Sequence, residues 1–332
     1  MSPLLEKEGF VAKAGGITLI LPKMNSKTLV STSKIAHIIT TSRPAFLLLA
    51  PCSLSLAVAY VISQDISINL LRLLLIFLGA LAAHASVNML NEYEDFKSGL
   101  DFHTQRTPFS GGSGTLPAIP ELAEFVRIGA MACLLITALI GFYFLWVIGR
   151  DLFLLGFFGI LLIYFYTHKI THWPFICLIT PGLAFGPLMI GGAYYILSGH
   201  HSMAVTTTSL IVFFLVNNLL LLNQFPDLEA DQNVGRRHLP ILIGRKKSAW
   251  VYVGFLVAAY ALLFLCVYLA FLPKYSLLGL LSLPLAILAA RISLQYPDDI
   301  DRLKPALALN VAVTLSTPVL VAAGIIWQHL LP

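Results

Sequence analysis

Long apolar runs dominate the sequence, and a short polar segment separates each run from the next. A run of roughly 17–25 apolar residues has the length of a helix that crosses a bilayer. Nine such runs occur, at 45–63, 70–91, 126–148, 152–167, 174–197, 205–225, 249–271, 275–294 and 306–329. They lack the alternation of apolar and polar residues that marks the strands of a membrane barrel. We therefore predict an all-α, polytopic membrane protein with nine transmembrane helices around a central cavity.

The fourth and fifth runs differ from the others. The fourth is short, and the fifth is interrupted by Pro181, Gly182, Gly186 and Pro187. Backbone breaks at membrane depth are tolerated where neighbouring helices or a cavity satisfy the freed polar groups. We therefore expect the fifth helix to be broken at a place that the protein encloses.

Composition and charge support a membrane location. Of the 332 residues, 58% are hydrophobic and only 11% are charged, whereas soluble domains carry about 25% charged residues. If the N-terminus lies in the cytoplasm, 18 of the 21 Lys and Arg residues fall on the cytoplasmic side, as the positive-inside rule requires. The net charge of +5 thus reflects topology in a cell (inner) membrane and does not indicate nucleic-acid binding.

The chain divides into an arm and a membrane domain. Residues 1–40 lack the long apolar core and cleavage pattern of a secretory signal. We expect them to form a cytoplasmic arm, partly flexible, with a possible surface helix, and Met24 is a second possible start. Residues 41–330 form the predicted transmembrane domain.

Seven of the sixteen acidic residues lie in two short segments, at the ends of the second and sixth runs. In each segment an Asn precedes an Asp by four residues, Asn91 before Asp95 and Asn223 before Asp227. This spacing places both side chains on one helical face. Because the pattern repeats four spans apart at the same depth, we expect the two helix ends to meet around the central cavity.

A glycine follows each acidic stripe, at Gly99 and Gly235, and predicts the end of each helix. The last turn of a helix is the negative end of its dipole, so carboxylates clustered there attract a cation. Hard oxygen ligands suit Mg²⁺, which shares its shell with substrate phosphates. We predict Mg²⁺ ligands among Asn91, Asp95, Asp101, Asn223, Asp227 and Asp231, with catalytic roles for Asn91, Asp95, Asn223 and Asp227.

Two acidic helix ends above an apolar bundle suit one type of reaction. Mg²⁺ held between carboxylates and a diphosphate stabilises the leaving group. The allylic carbocation that remains must be kept from water, and a membrane bundle can do this. The pattern therefore favours transfer of a prenyl group from an isoprenyl diphosphate to an aromatic acceptor.

The two segments resemble the Asp-rich motifs of the UbiA superfamily of membrane prenyltransferases. Asn91-Glu-Tyr-Glu-Asp95-Phe-Lys-Ser-Gly99-Leu-Asp101 is similar to the first motif, and Asp227-Leu-Glu-Ala-Asp231 is similar to the second. The resemblance covers about residues 40–330 and implies nine spans, a polyprenyl diphosphate donor and Mg²⁺. The interval of six between Asp95 and Asp101 is more similar to the 1,4-dihydroxy-2-naphthoate branch of menaquinone synthesis than to the 4-hydroxybenzoate branch.

The sequence departs from the family pattern at two positions. Glu92 replaces the usual Asp, and Pro226 stands where naphthoate-type enzymes often carry Arg. The run Leu239-Pro-Ile-Leu-Ile-Gly244 resembles a strand-like segment that follows the second motif in the family.

Further residues on the motif side are candidates for substrate contacts. Basic side chains can bind diphosphate oxygens, although positive-inside topology also accounts for basic residues on this side. The substrate-binding candidates are His84, Asn88, Lys97, Arg106, Tyr166, Lys169, Arg236 and Arg237. The glycine-rich segment Ser110–Gly114 lacks the ending of a nucleotide-binding loop, and we interpret it as a mobile lid.

Several alternatives remain at this point. The acceptor could be 4-hydroxybenzoate, homogentisate, chlorophyllide, haem or a lipid glycerol. From another class, a cation-coupled transporter would carry carboxylates near the middle of the membrane, whereas the acids here lie at one face. Prenyl chain length and oligomeric state have no signature in the sequence.

Overall fold

The computed structural model of the chain describes residues 9–14, 17–22, 26–104 and 106–331. Two short strands, β1 (Gly9–Ala14) and β2 (Ile17–Pro22), form an antiparallel hairpin. Helix α1 (Ser26–Thr41) follows and packs on α4, α5 and α6, whose bounds are given below. The cytoplasmic arm over residues 1–40, partly flexible and with a possible surface helix, stays a prediction. Residues 1–8, 15–16 and 23–25 of that arm, and with them the possible start at Met24, lie outside the described residues.

From Ser26 onward the described chain is helical. The helices are α2 (Pro44–Leu47), α3 (Leu49–Ser63), α4 (Leu70–Lys97), α5 (Thr115–Ala118), α6 (Ala123–Val147), α7 (Leu152–His168), α8 (Pro174–Leu183), α9 (Met189–Ser198), α10 (Met203–Asn233), α11 (Leu239–Ile243), α12 (Arg245–Tyr268), α13 (Leu283–Gln295) and α14 (Ile300–Leu330). Four 3-10 segments join them, at Leu100–Phe102, Pro120–Leu122, Ile170–His172 and Lys274–Ser282.

Eight helical stretches of the described chain are long and apolar enough to cross a membrane. They match the predicted runs except the fourth, where the apolar segment Leu152–Tyr166 is shorter. Helix α7 has 17 residues and is therefore about 25 Å long at 1.5 Å per residue, less than the ~30 Å hydrocarbon core of a bilayer. The all-helical membrane fold is confirmed, and the count of nine spans is not.

Helix α10 lies at the centre of the bundle. Within its apolar stretch 67% of the residues are buried, more than in any of the other seven long spans. Helices α8, α12 and α14 pack around it, while α3 packs against α14 and α4 against α6. Because α10 carries the second acidic segment, this segment is fixed by the best-packed element of the fold.

The fifth span is broken as predicted. Helices α8 and α9 are joined by a π-helical turn at Ala184–Leu188, next to Pro181 and Pro187. The Gly182 N–H donates to Asn217 Oδ1 on α10 at 2.7 Å. A side chain on α10 thus satisfies a backbone group of the broken helix, which is the condition for such a break inside a membrane.

The predicted helix ends at Gly99 and Gly235 are confirmed. Both glycines have left-handed backbone, with φ of 80° and 82°, a conformation that costs glycine little. They end α4 and α10 and redirect the chain across the helix ends. As a result, Asp101 and Arg236 come directly after the turns, next to the carboxylates.

The run that the family resemblance suggested to be strand-like forms the short helix α11 instead. Pro240 lies in its first turn, where a missing N–H is tolerated. Helix α10 continues through Pro226 to Asn233.

Candidate active site at the ends of α4 and α10

The ends of α4 and α10 meet through Arg236. Its Nη2 donates to Asp95 Oδ1 on α4, and its Nη1 donates to Asp231 Oδ1 on α10 at 2.8 Å. Asp95 and Asp231 are only 5% and 4% exposed, so water and salt screen this ion-pair bridge little. The two acidic segments therefore form one site, as their repeated pattern predicted.

The bridge keeps Arg236 charged. Burial by itself would lower the pKa of a guanidinium, but the carboxylates of Asp95 and Asp231 outweigh burial and raise the pKa of Arg236 above its ordinary value. A permanent positive charge thus lies between two negative charges that would otherwise repel each other.

The remaining oxygen of each bridged carboxylate is also engaged. Asn91 Nδ2 donates to Asp95 Oδ2 at 2.7 Å, which explains the four-residue spacing in the first segment. His238 Nε2 lies 2.9 Å from Asp231 Oδ2, and it must carry the proton because an ionised carboxylate only accepts. Asp95 and Asp231 are therefore held in fixed orientations.

Three other oxygens at this end of the bundle are buried without a hydrogen-bond partner among the described residues, namely Asp101 Oδ2, Asn223 Oδ1 and Asp227 Oδ1. Each unsatisfied buried acceptor costs about 1–3 kcal/mol, so three together are large against a typical folding stability of about 5–15 kcal/mol. A ligand that satisfies them is favoured. All three are hard oxygen donors, the kind that Mg²⁺ prefers, so the residues fit Mg²⁺.

The six predicted metal ligands do not all lie around one point in this structure. In the described part of the chain, no three His, Cys, Asp or Glu side chains are grouped as metal ligands. The guanidinium of Arg236 stands between Asp95 and Asp231 and separates them. Metal ligation therefore remains a prediction for Asn91, Asp95, Asp101, Asn223, Asp227 and Asp231.

Among the described carboxyl groups outside the spans, that of Asp101 has the pKa that departs most from its ordinary value. Burial, together with the charges of Asp95 and Glu92, raises its pKa to about 7, while Arg43 and Arg106 act in the opposite direction. The Asp101 carboxyl therefore keeps its proton to a higher pH than an ordinary aspartic acid does. Binding of a divalent cation has to displace this proton.

A chamber of about 670 Å³ extends from the carboxylates into the bundle, within the range of about 300–1,000 Å³ typical of ligand sites. Its wall is polar at the helix ends and is formed further in by leucine, isoleucine, phenylalanine and glycine. Along α4 the lining runs from Asp95 to Leu75, about 30 Å at 1.5 Å per residue. The chamber can therefore hold a ligand with a charged head and a long apolar tail.

Most of the predicted site residues line this chamber. They are His84, Asn88, Asn91, Asp95, Asp101, Tyr166, Asn223, Asp227, Asp231 and Arg236. His84 packs edge-on against Phe185, with ring centroids 4.8 Å apart, and Tyr166 is hydrogen-bonded to Cys177. His84 and Tyr166 thus add two ring systems to the wall.

Four predicted substrate-binding residues do not line the chamber: Lys97, Arg106, Lys169 and Arg237. All four side chains are exposed. Lys97 and Lys169 lie over aromatic rings outside the chamber, at 6.0 and 5.4 Å from the ring centroids. The structure therefore separates Arg236 from its neighbour Arg237, which the sequence did not distinguish.

Sequence reasoning did not predict a site role for Arg43, for Glu92 or for His238, whose Nε2 lies 2.9 Å from Asp231 Oδ2. Arg43 was counted only as a topology signal, yet it lines the chamber. Its Nη2 lies 2.9 Å from Glu92 Oε1, and the Glu92 side chain is fully buried. The two residues are 49 positions apart, and no periodic pattern connects them.

The chain matches one family of known proteins. The model of the UbiA prenyltransferase family matches residues 48–311. No curated protein sequence matches the chain at a significant level.

Several solved structures have a similar fold. A UbiA homolog from Aeropyrum pernix K1 matches with a TM-score of 0.63 and 18% identity, covering 84% of this chain and 98% of that chain. A digeranylgeranylglyceryl phosphate synthase matches with a TM-score of 0.61 and 20% identity, covering 89% and 99%. A UbiA homolog from Archaeoglobus fulgidus bound to DMAPP and Mg²⁺ matches with a TM-score of 0.57 and 15% identity, covering 86% and 99%. At these identities the likeness concerns the fold.

The raised pKa of Asp101 predicts that cation binding depends on pH. With a pKa of about 7, the carboxyl is about 90% protonated at pH 6 and about 90% ionised at pH 8. The apparent affinity for Mg²⁺ should therefore fall about tenfold from pH 8 to pH 6. The apparent affinity is measured at each pH from the rise in melting temperature of the purified protein as Mg²⁺ is added. Asp101→Asn should weaken the pH dependence, and a pH dependence as large as that of the wild type would contradict the assignment.

Proposed function

Because the chain belongs to the UbiA prenyltransferase family, we propose that it transfers the prenyl group of a polyprenyl diphosphate to an aromatic acceptor in an Mg²⁺-dependent reaction. The observation that carries this proposal is the bridge of Asp95, Arg236 and Asp231 at the polar end of a largely apolar chamber. The similar fold of the Archaeoglobus fulgidus homolog that holds DMAPP and Mg²⁺ supports the choice of donor and metal.

The metal site in this proposal comprises the oxygens of both helix ends. Asp101, Asn223 and Asp227 offer unpaired buried oxygens, and Asp95 and Asp231 lie beside them around Arg236. Bound Mg²⁺ supplies charge neutralisation for the diphosphate as it leaves. The chain's own part is to hold these oxygens in place from two well-packed helices.

Arg236 is the proposed diphosphate-binding cation of the chain. A guanidinium has five N–H donors in a planar fork, and the bridge uses two of them on Asp95 and Asp231. The remaining donors can contact diphosphate oxygens, a pairing that arginine makes well. Arg236 would thereby stabilise negative charge on the departing diphosphate while it stays bonded to Asp95 and Asp231.

The apolar part of the chamber serves the prenyl tail and the carbocation. Leucine, isoleucine and phenylalanine side chains along α4, α6 and α7 form its wall, so water is excluded once a tail fills it. The ring of Tyr166 lines the chamber on the motif side, where its π-face can stabilise a positive carbon. Asn88 and His84 lie deeper on α4 and are the proposed polar contacts for the acceptor.

The proposed acceptor is 1,4-dihydroxy-2-naphthoate, on the basis of the interval between Asp95 and Asp101. The other acceptors named above, including 4-hydroxybenzoate and a lipid glycerol, are tested against it below. We also place the motif side in the cytoplasm, because 18 of the 21 basic residues fall on that side. A transporter is disfavoured, because the chain belongs to an enzyme family and its acids lie at one end of the bundle.

Removing either helix-end carboxylate should abolish prenyl transfer. Asp95→Ala and Asp227→Ala should each lower turnover by at least about 100-fold, because changes to groups that merely support metal ligands already cost about 10–100-fold. Asp301→Ala is the matched control, since Asp301 is 80% exposed and pairs with Lys304 away from the chamber. Purified variants are assayed with labelled geranyl diphosphate, Mg²⁺ and a panel of aromatic and lipid acceptors.

Two results in this assay would contradict the proposal: full activity of both variants, or equal product in the presence of excess chelator. A product formed only with the naphthoate assigns the acceptor. A product formed only with 4-hydroxybenzoate or with a glycerol lipid rejects the naphthoate and leaves prenyl transfer itself intact.

Arg236 and Arg237 should differ sharply although they are neighbours. The Arg236 side chain is only 14% exposed and is held in the bridge, whereas Arg237 is exposed and outside the chamber. Arg236→Ala should raise the KM for the prenyl diphosphate by about tenfold or more, since it removes charge-assisted hydrogen bonds. Arg237→Ala should change it less than about twofold, as is usual for exposed charges. Equal effects of the two substitutions in steady-state kinetics would contradict the role given to Arg236.

A further inference from the structure

A glycine-rich loop, residues 106–114, crosses the polar end of the chamber, and we call it the roof loop. Its residues Phe109, Ser110, Gly111 and Gly112 line the chamber directly above the carboxylates. The loop has three glycines with left-handed backbone, at Gly111, Gly112 and Gly114. It therefore has little intrinsic preference for this shape and depends on contacts to keep it.

Glu92 provides the strongest of these contacts. Its Oε1 accepts from the Ser113 N–H at 2.6 Å, and its Oε2 accepts from Ser113 Oγ at 2.8 Å. Arg43 Nε donates to the same Oε1 at 3.0 Å. The carboxylate is 0% exposed, so these are charge-assisted bonds in an enclosed setting, where they are strong.

Glu92 thus differs from the acids around it. Both of its oxygens are used by Ser113 and Arg43, whereas Asp101 and Asp227 each keep a buried oxygen with no partner among the described residues. Glu92 is therefore held by the roof loop and by Arg43, and it is not among the unsatisfied buried oxygens of the described residues. Its place in the acidic segment is therefore explained by the roof loop.

The roof loop is also tied to both acidic helix ends. The Gly111 backbone lies beside the Asp227 carboxylate and acts on its charge, and Arg106 Nη2 donates to the Asp101 carbonyl oxygen at 3.2 Å. A Cβ on Gly112 would lie 3.1 Å from both Asp101 Oδ1 and Glu92 Oε1. At Gly112 the loop backbone therefore rests against the carboxylates and leaves little space for a side chain.

We propose that Glu92 is a positioning residue that clamps the roof loop over the carboxylate site through Ser113 and thereby keeps water from the reacting carbon. This inference rests on the proposed function. If the clamp is released, water can attack the allylic carbon in place of the acceptor. The C–O bond to the diphosphate then breaks, a C–O bond to water forms, and the products are a prenyl alcohol, diphosphate and one proton.

The test measures how the prenyl group is partitioned. Glu92→Gln keeps the size of the side chain and removes the charge, and Ser113→Ala removes the hydroxyl bond alone. Glu124→Gln is the matched control, because Glu124 lies on the same side, pairs with Arg127 and is 60% exposed. The full-length variants are incubated with geranyl diphosphate, Mg²⁺ and the acceptor that the wild type uses, and prenyl alcohol and prenylated product are quantified together.

The ratio of alcohol to product should rise about tenfold in Glu92→Gln and in Ser113→Ala, the size expected for a lost charge-assisted hydrogen bond, and stay at the wild-type value in Glu124→Gln. Melting temperatures show whether each variant is folded, and Ser113→Ala decides the test if Glu92→Gln is not. An unchanged ratio in the folded variants, even with lower total turnover, would overturn the clamp. A wild type that transfers no prenyl group at all would remove the proposed function and the clamp with it.

Discussion

The ion-pair bridge of Asp95, Arg236 and Asp231 is the interaction on which the rest of the site depends. Two carboxylates from different spans are brought together in an enclosed setting, where unpaired charges are costly. The guanidinium between them makes this arrangement stable and fixes the distance between α4 and α10 at one end of the bundle. Every other polar group of the site is arranged around this bridge, including the three unpaired oxygens that fit Mg²⁺.

The bridge also divides the chamber into two chemical environments. Carboxylates, amides and arginines surround the helix ends, and only a few polar side chains interrupt the apolar wall beneath them. This division suits a substrate whose leaving group is charged and whose tail is a hydrocarbon. The roof loop completes the enclosure from the outside, and its contacts with Glu92 and Asp227 connect it to both acidic segments. In the proposed reaction, this enclosure would restrict water at the place where the reactive carbon forms.

Much of this arrangement was predictable from the sequence, because it follows from local periodicity. The apolar runs predicted the helices, and the Asn-to-Asp spacing predicted that the polar side chains share one face on each of two helices. Gly99 and Gly235 predicted where these two helices end. What the sequence did not indicate depends on contacts between distant positions. Arg43 and Glu92 are joined only by the fold, and Arg236 differs from Arg237 only in the direction that its side chain takes after the turn.

The central claim is that oxygens from both α4 and α10 hold one metal–diphosphate unit. The most direct measurement is an experimental structure of the protein with Mg²⁺ and a non-hydrolysable prenyl diphosphate analogue. The account predicts metal density that contacts Asp95 or Asp101 on one side, Asp227 or Asn223 on the other, and the diphosphate between them. Metal or diphosphate bound by the residues of one helix end alone, with the other end turned away, would contradict it.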